Sequence, residues 1–143
     1  MSTSDENPLR AYSSRSILFV DDDPLTRSIV VDHYAELGFR VSTACNGEEA
    51  LRMLEQELAD IILCDRRMPV MSGADLIEAI RQRGPEWQKP VFVFVTALND
   101  RRDRYAMLPS KPDGFIFKPL DFARDDLRLA QILKERSALS PSP

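Results

Sequence analysis

Short apolar runs alternate with stretches of helical periodicity along the body of this chain, and nearly every run stops at a polar residue. Ile17-Leu18-Phe19-Val20 stops at Asp21, Ile61-Ile62-Leu63-Cys64 at Asp65, Val91 through Val95 at Thr96, and Phe115-Ile116-Phe117 at Lys118. Runs this short and this apolar read as strands covered on both faces. Arg40 through Ala44 is a more polar run, suited to a sheet edge. Between the runs, Leu25, Ile29, Val30, Tyr34 and Leu37 recur at helical spacing ahead of Gly38, a C-terminal cap. Asn46 with Glu49 resembles a capping box before the stripe Ala50, Leu51, Leu54 and Leu58. Leu76, Ile77 and Ile80 mark a third helix, and Leu129, Ile132 and Leu133 mark a last one over Phe122 to Arg136. About two turns of helix are expected near Asp100 to Met107, ended by Pro109 and Pro112. Five βα units in succession predict an α/β doubly wound sandwich with a parallel sheet and right-handed crossovers.

Composition narrows the function classes. Lys and Arg total 19 against 23 Asp and Glu, a formal charge of −4, which argues against holding nucleic acid through a broad basic face. The polar opening of the chain lacks the apolar stretch of a secretory signal, and its apolar runs fall far short of the ~20 residues of a membrane span. Cys45 and Cys64 form neither a metal-type pair nor a disulfide framework, which fits reduced thiols in the cytoplasm. At 143 residues one core suffices, with residues 15–136 as the domain and 1–14 and 137–143 as flexible tails.

In a doubly wound sheet, ligands bind in the crevice beyond the carboxyl ends of the strands. The residues standing there are Asp21-Asp22-Asp23, Asp65, Thr96 and Lys118. Clustered carboxylates raise one another's pKa and repel unless a cation joins them, so they point to a hard divalent ion, Mg²⁺ first. Magnesium keeps coordination positions open for phosphate oxygens, and Lys118 and Thr96 add an ammonium and a hydroxyl. These groups surround a place for a phosphoryl group, with one carboxylate left as acceptor.

Val20-Asp21-Asp22-Asp23-Pro24, Asp65 with Met68-Pro69 and Gly73, Thr96-Ala97 and Lys118-Pro119 resemble, in order, the motifs of the receiver domain of two-component response regulators. The resemblance spans about Ser16 to Arg136. It implies a flavodoxin-like (βα)5 fold with a five-stranded sheet of order 2-1-3-4-5. It makes Asp65 the phosphoacceptor, served by a sensor histidine kinase or a histidine phosphotransfer protein. It assigns Mg²⁺ to Asp21, Asp22, Asp65 and the backbone carbonyl of Arg67. Lys118 is then the phosphoryl's counter-charge, Thr96 and Phe115 a switch pair, and Lys118-Pro119 a cis peptide. The implied protein is a signalling phosphoprotein that supports its own phosphorylation and dephosphorylation rather than a turnover enzyme. Its downstream target is left unnamed, and a homodimer through the fourth and fifth helices stays open. So does the choice between a stand-alone regulator and a piece of a longer protein.

Other readings compete. Asp21-x-Asp23 formally fits the nucleophile motif of a haloacid-dehalogenase-like phosphatase, although Asp125-Asp126 lie in a helix rather than at a strand end. A receiver-like module that never takes phosphate is the third option. Asp23 also suits a helix start, Cys64 a small buried side chain, and Arg101-Arg102-Asp103-Arg104 a solvated helix face. His33, the single histidine, has no local acidic or basic partner with a defined role, which argues against a phosphorelay histidine. Arg66 and Arg67 directly follow the acceptor, and Arg67 is expected to pair with an active-site carboxylate or shield the acyl phosphate. Pro109-Ser110-Lys111-Pro112 departs from the family pattern and suggests a specialised surface.

Overall fold

A computed structural model describes residues 6–97 and 110–136. Five parallel strands form one sheet, β1 (Ser16–Val20), β2 (Arg40–Ala44), β3 (Ile61–Cys64), β4 (Val91–Ala97) and β5 (Gly114–Lys118), in the order β2-β1-β3-β4-β5. The order matches the one the family resemblance implies. Four helices accompany them among the described residues: α1 (Pro24–Glu36), α2 (Gly47–Gln56), α3 (Gly73–Arg81) and α4 (Phe122–Glu135). The helix expected near Asp100 to Met107, the basic run Arg101 to Arg104, Pro109 and the tail 137–143 lie outside the described residues.

Side chains alternate across the sheet, so each strand feeds two cores. Ile17, Phe19, Leu63, Val93 and Ile116 face one way, with Val30 and Tyr34 of α1 and Leu129, Ile132 and Leu133 of α4. Leu18, Val20, Ile62, Phe92 and Phe94 face the other, with Leu54 of α2 and Leu76, Ile77 and Ile80 of α3. β2 is an edge, and its Arg40 and Ser42 are exposed.

Local chemistry fixes the junctions. Gly38 ends α1 at φ +98°, where a side chain would be strained. Asn46 caps α2 through Glu49 N at 2.8 Å, while Glu49 reaches back one residue past the cap, to Cys45 N at 3.0 Å. Of the stripe expected along α1, Val30, Tyr34 and Leu37 are buried, while Leu25 and Ile29 are exposed at 67% and 47%.

Residues 8–12 correct the reading of 1–14 as a flexible tail. Pro8–Tyr12 is a 3-10 helix capped by Asn7, and its Leu9 and Tyr12 are buried at 0% and 3% exposure. The turn is too short to show a periodicity, and its order comes from inserting two apolar side chains into the α1–α4 core. Asn7 Nδ2 donates to Asp126 Oδ2 of α4 at 2.7 Å, and Ser14 N donates to Gly38 O at 2.9 Å. His33 likewise has a partner that local sequence hides: its Nε2 lies 2.6 Å from Asp126 Oδ2, and its ring stacks on Phe122 at 3.7 Å.

If residues 8–12 belong to the folded domain, Leu9→Ala will destabilise it by about 2–5 kcal/mol, as truncation of a fully buried leucine does. Urea unfolding checks this; a loss below about 0.5 kcal/mol, the level of neutral surface changes, would return the segment to a tail.

Candidate functional site

The sheet order reverses direction between β1 and β3, and the crevice beyond their carboxyl ends is the switch point of the fold. β1 delivers Asp21 there and β3 delivers Asp65, because the parallel ladder continues past both strands: Asp65 N donates to Val20 O at 2.8 Å and Asp21 N to Ala44 O at 3.1 Å. Asp21 is fully buried, Asp65 is buried and Asp22 is exposed. One carboxylate oxygen from each of Asp21, Asp22 and Asp65 lies within 4.8 Å of the others. Lys118, the last residue of β5, spans the buried pair: its Nζ donates to Asp21 Oδ2 and to Asp65 Oδ2, each at 2.9 Å. Asp21 Oδ1 accepts from Asp23 N at 2.9 Å, and Asp65 Oδ1 accepts from Arg67 N at 3.3 Å.

Electrostatics follow from this crowding. Burial pushes the Asp65 carboxyl above its ordinary value; Lys118 pulls it back, and the charge of Asp21 pushes it up again. For Lys118, burial acts downward, but hydrogen bonds and charge from Asp21 and Asp65 outweigh it and hold the ammonium above its ordinary range. Burial, aided by the Asp65 and Asp21 charges, lifts the Cys64 thiol far above its usual range. That leaves Cys64 an inert core residue whose Sγ donates to Asp65 O at 3.0 Å.

The remaining expected residues are placed as follows. Thr96 is buried in β4, paired in register with Phe117. Phe115 is half-buried in β5 and stacks on Phe94 at 5.8 Å. The Lys118-Pro119 bond is cis. Arg67 is exposed and Arg66 half-buried. Asp23 spends both oxygens on the start of α1, accepting from Leu25 N at 3.3 Å and Thr26 N at 3.2 Å. The Thr26 hydroxyl also donates to it and holds its pKa below the ordinary value. An Asp21-x-Asp23 nucleophile pair therefore lacks its second member.

The loop after Asp65 is built by close approach. Gly73 N donates to Arg66 O at 2.9 Å, and a Cβ on Gly73 would lie 2.3 Å from Asp65 O, so only glycine lets α3 begin there. Met71 O accepts from Gly47 N at 3.0 Å, tying the loop to the start of α2.

One arrangement has no signal in the sequence. Arg124 and Asp125, which the sequence places only within the last helix, form a 2.9 Å ion pair in which Asp125 is buried. The same guanidinium donates to the carbonyls of Phe117 and Pro119.

At the switch point of the parallel sheet, the buried pair Asp21 and Asp65, bridged by Lys118, and the exposed Asp22 form a group of carboxylates that could hold a metal ion. The comparisons with known proteins carry this to a family. The family model for the response regulator receiver domain matches residues 17–130. A probable transcriptional regulator, ycf27, from Cyanidium caldarium is 35% identical over 118 residues, 82% of this chain and 46% of that protein. The sensor histidine kinase RcsC of Salmonella typhimurium is 38% identical over 104 residues, 73% of this chain and 11% of the kinase. Among solved structures, a response regulator from Chloroflexus aurantiacus described as putative superposes with a TM-score of 0.77 at 26% identity, covering 85% of this chain and 99% of that one. TrrA of Thermotoga maritima, solved in complex with Mg²⁺-BeF, gives 0.70 at 27% identity, covering 83% and 99%. The chain belongs to the receiver domain family of two-component response regulators. It spans about half the length of curated relatives such as ycf27, at 46%.

Because folded Asp65 holds its proton to higher pH than the ordinary 3.8, its ionisation costs the folded state stability. Its favourable contribution is complete below that ordinary value and lost as pH rises through the raised one. Asp65→Asn in metal-free buffer will therefore melt higher than wild type at neutral pH, and the advantage will shrink as pH falls toward 3.8. Paired thermal melts across pH 3–8 check it; an Asn variant melting lower at neutral pH would reverse the assignment of the net cost.

Proposed function

We propose that this receiver domain accepts a phosphoryl group onto Asp65 from the phosphohistidine of a sensor histidine kinase or histidine phosphotransfer protein, in a Mg²⁺-dependent reaction. The observation that carries it is the meeting of Asp21, Asp22 and Asp65 within 4.8 Å, with Lys118 joined to both buried members. An Asp65 carboxylate oxygen forms the new P–O bond as the P–N bond of the donor breaks, and the leaving imidazole carries away the electron pair. Lys118 holds Asp65 in place beforehand and supplies positive charge beside the transferring group.

The donor set suits a hard cation: three carboxylates, one of them exposed, with the Arg67 carbonyl as a further oxygen ligand. When bound, Mg²⁺ supplies charge neutralisation at the phosphoryl oxygens and the acceptor. The TrrA complex with Mg²⁺-BeF supports that choice of ion. Thr96 and Phe115 form the switch pair, with the Thr96 hydroxyl turning to the phosphoryl group and the half-buried Phe115 ring following it inward.

Donor docking is supported by the apolar rim of the same end of the sheet. Leu25 is 67% exposed, Ile29 47% and Val70 76%, and Ile29 lines a cavity of about 290 Å³ with Thr26, Lys118, Pro119, Leu120 and Phe122. The similarity to RcsC, a sensor histidine kinase, fits a donor of that class. Phosphorylation then changes the surface offered to a downstream protein or a second copy. No described helix is long and apolar enough to cross a membrane, and free Cys45 and Cys64 suit a reducing cytoplasm.

Incubation with acetyl phosphate, with and without Mg²⁺, followed by intact mass will show a gain of one phosphoryl group in wild type and none in Asp65→Asn or without the ion. Retention of the gain in Asp65→Asn would move the acceptor elsewhere. A wild type that neither gains mass nor responds to Mg²⁺ with beryllium fluoride in its NMR spectrum would overturn the reading.

A further inference from the structure

We propose that Arg124, oriented by Asp125, is a positioning residue for Lys118. The proposal rests on the phosphoacceptor reading and adds a residue to it. Lys118 sits at the junction between β5 and the loop that enters α4, and its ammonium must meet Asp21 and Asp65 together. The Arg124 guanidinium brackets that junction. Its Nη2 donates to the carbonyl before Lys118, Phe117 O at 3.1 Å, and to the carbonyl after the Lys118-Pro119 pair, Pro119 O at 3.0 Å.

The bracket is itself anchored. Arg124 Nε donates to Asp125 Oδ1 at 2.9 Å, and Asp125 is 3% exposed. The other oxygen of Asp125 accepts from Asp121 N at 2.8 Å, at the cap of α4. Asp121 Oδ1 in turn accepts from Arg124 N at 3.3 Å. The loop carrying Lys118 is thus referenced to the first turn of a helix packed on the core, rather than left to its own few residues.

Only arginine can do this. A planar guanidinium presents several N–H groups in a fixed fork, so one side chain reaches two carbonyls and a carboxylate at once. A lysine ammonium would keep the charge beside Asp125 and lose the fork. A misplaced catalytic group is costly even when nothing touching the reacting atoms is altered.

The test compares wild type, Arg124→Lys, Arg124→Ala and Asp125→Asn in Mg²⁺-dependent phosphorylation by acetyl phosphate. Measurements are made well below each protein's melting temperature. Mg²⁺ affinity and the NMR signal of the Lys118 side-chain Cε–Nζ group are recorded in parallel. A positioning role predicts about a tenfold slower phosphorylation in Arg124→Lys. It also predicts a shifted or broadened Lys118 signal, with Mg²⁺ affinity held within about twofold because the three carboxylates are untouched. Arg124→Ala strands a buried carboxylate and is expected to melt lower, so Arg124→Lys and Asp125→Asn carry the decision. If wild type is phosphorylated and Arg124→Lys matches it in rate and in its Lys118 signal, the positioning role alone is overturned. If wild type takes no phosphoryl group, the phosphoacceptor reading falls and this role with it.

Discussion

Two buried carboxylates share one ammonium, and most of the site depends on that imbalance. Asp21 has no exposed surface and Asp65 little, so each charge has lost most of its water. Lys118 offers one positive charge to both, through two hydrogen bonds of equal length. The result is a lysine held charged and a carboxyl at Asp65 held above its ordinary range, a pair of shifts with one cause. Positive charge added beside these carboxylates would ease their mutual repulsion. Stability is given up here for a place where added positive charge is most favourable.

The sheet order makes this arrangement rigid. Asp21 and Asp65 stand on adjacent strands because β1 pairs with β3, and the hydrogen bond from Asp65 N to Val20 O sets their separation by backbone ladder rather than side-chain choice. Lys118 reaches them from β5, across β4, where its register partner is Ala97, the residue after Thr96. The loop after Asp65 has no strand to hold it, and it is pinned at its two ends by glycine contacts. Between those pins Val70 takes φ +70° while Met71 N donates to Pro69 O at 2.8 Å, a three-residue turn that a β-branched side chain enters only with strain. That Val70 is also 76% exposed places the strain on the apolar rim of the site.

What could be read from the sequence was what local pattern encodes. Apolar runs ending at Asp21, Asp65 and Lys118 announced the strands and the site together, because a parallel sheet puts all carboxyl ends on one side. The strand order itself came through the family motifs, since alternation alone does not choose among orders. The misses share one cause, which is that distant segments decide which side chains are buried. Leu9 and Tyr12 look like part of a polar tail until α1 and α4 surround them. Leu25 and Ile29 fit the helical stripe, yet no distant segment covers them among the described residues and they stay exposed. His33 pairs with a residue 93 positions away, and no window of periodicity reaches that far.

Asp125 and Asp126 show how much such long-range burial can decide. The sequence places the two adjacent aspartates in the last helix and no more, but consecutive helical residues point about 100° apart and so meet different neighbours. Asp125 turns toward the Lys118 loop and fixes Arg124, while Asp126 turns toward α1 and accepts from Asn7 and His33. Burial and the Asp126 charge together lift the Tyr34 phenol well above its ordinary range, as expected beside a carboxylate without water. Phe122, at the start of the same helix, stacks on His33. One turn and a half of α4 therefore ties the Lys118 loop to the N-terminal 3-10 helix through contiguous polar and aromatic contacts. A shift of the Lys118 loop must either break one of these contacts or carry the first turn of α4 with it, which makes this turn the mechanical neighbour of the site.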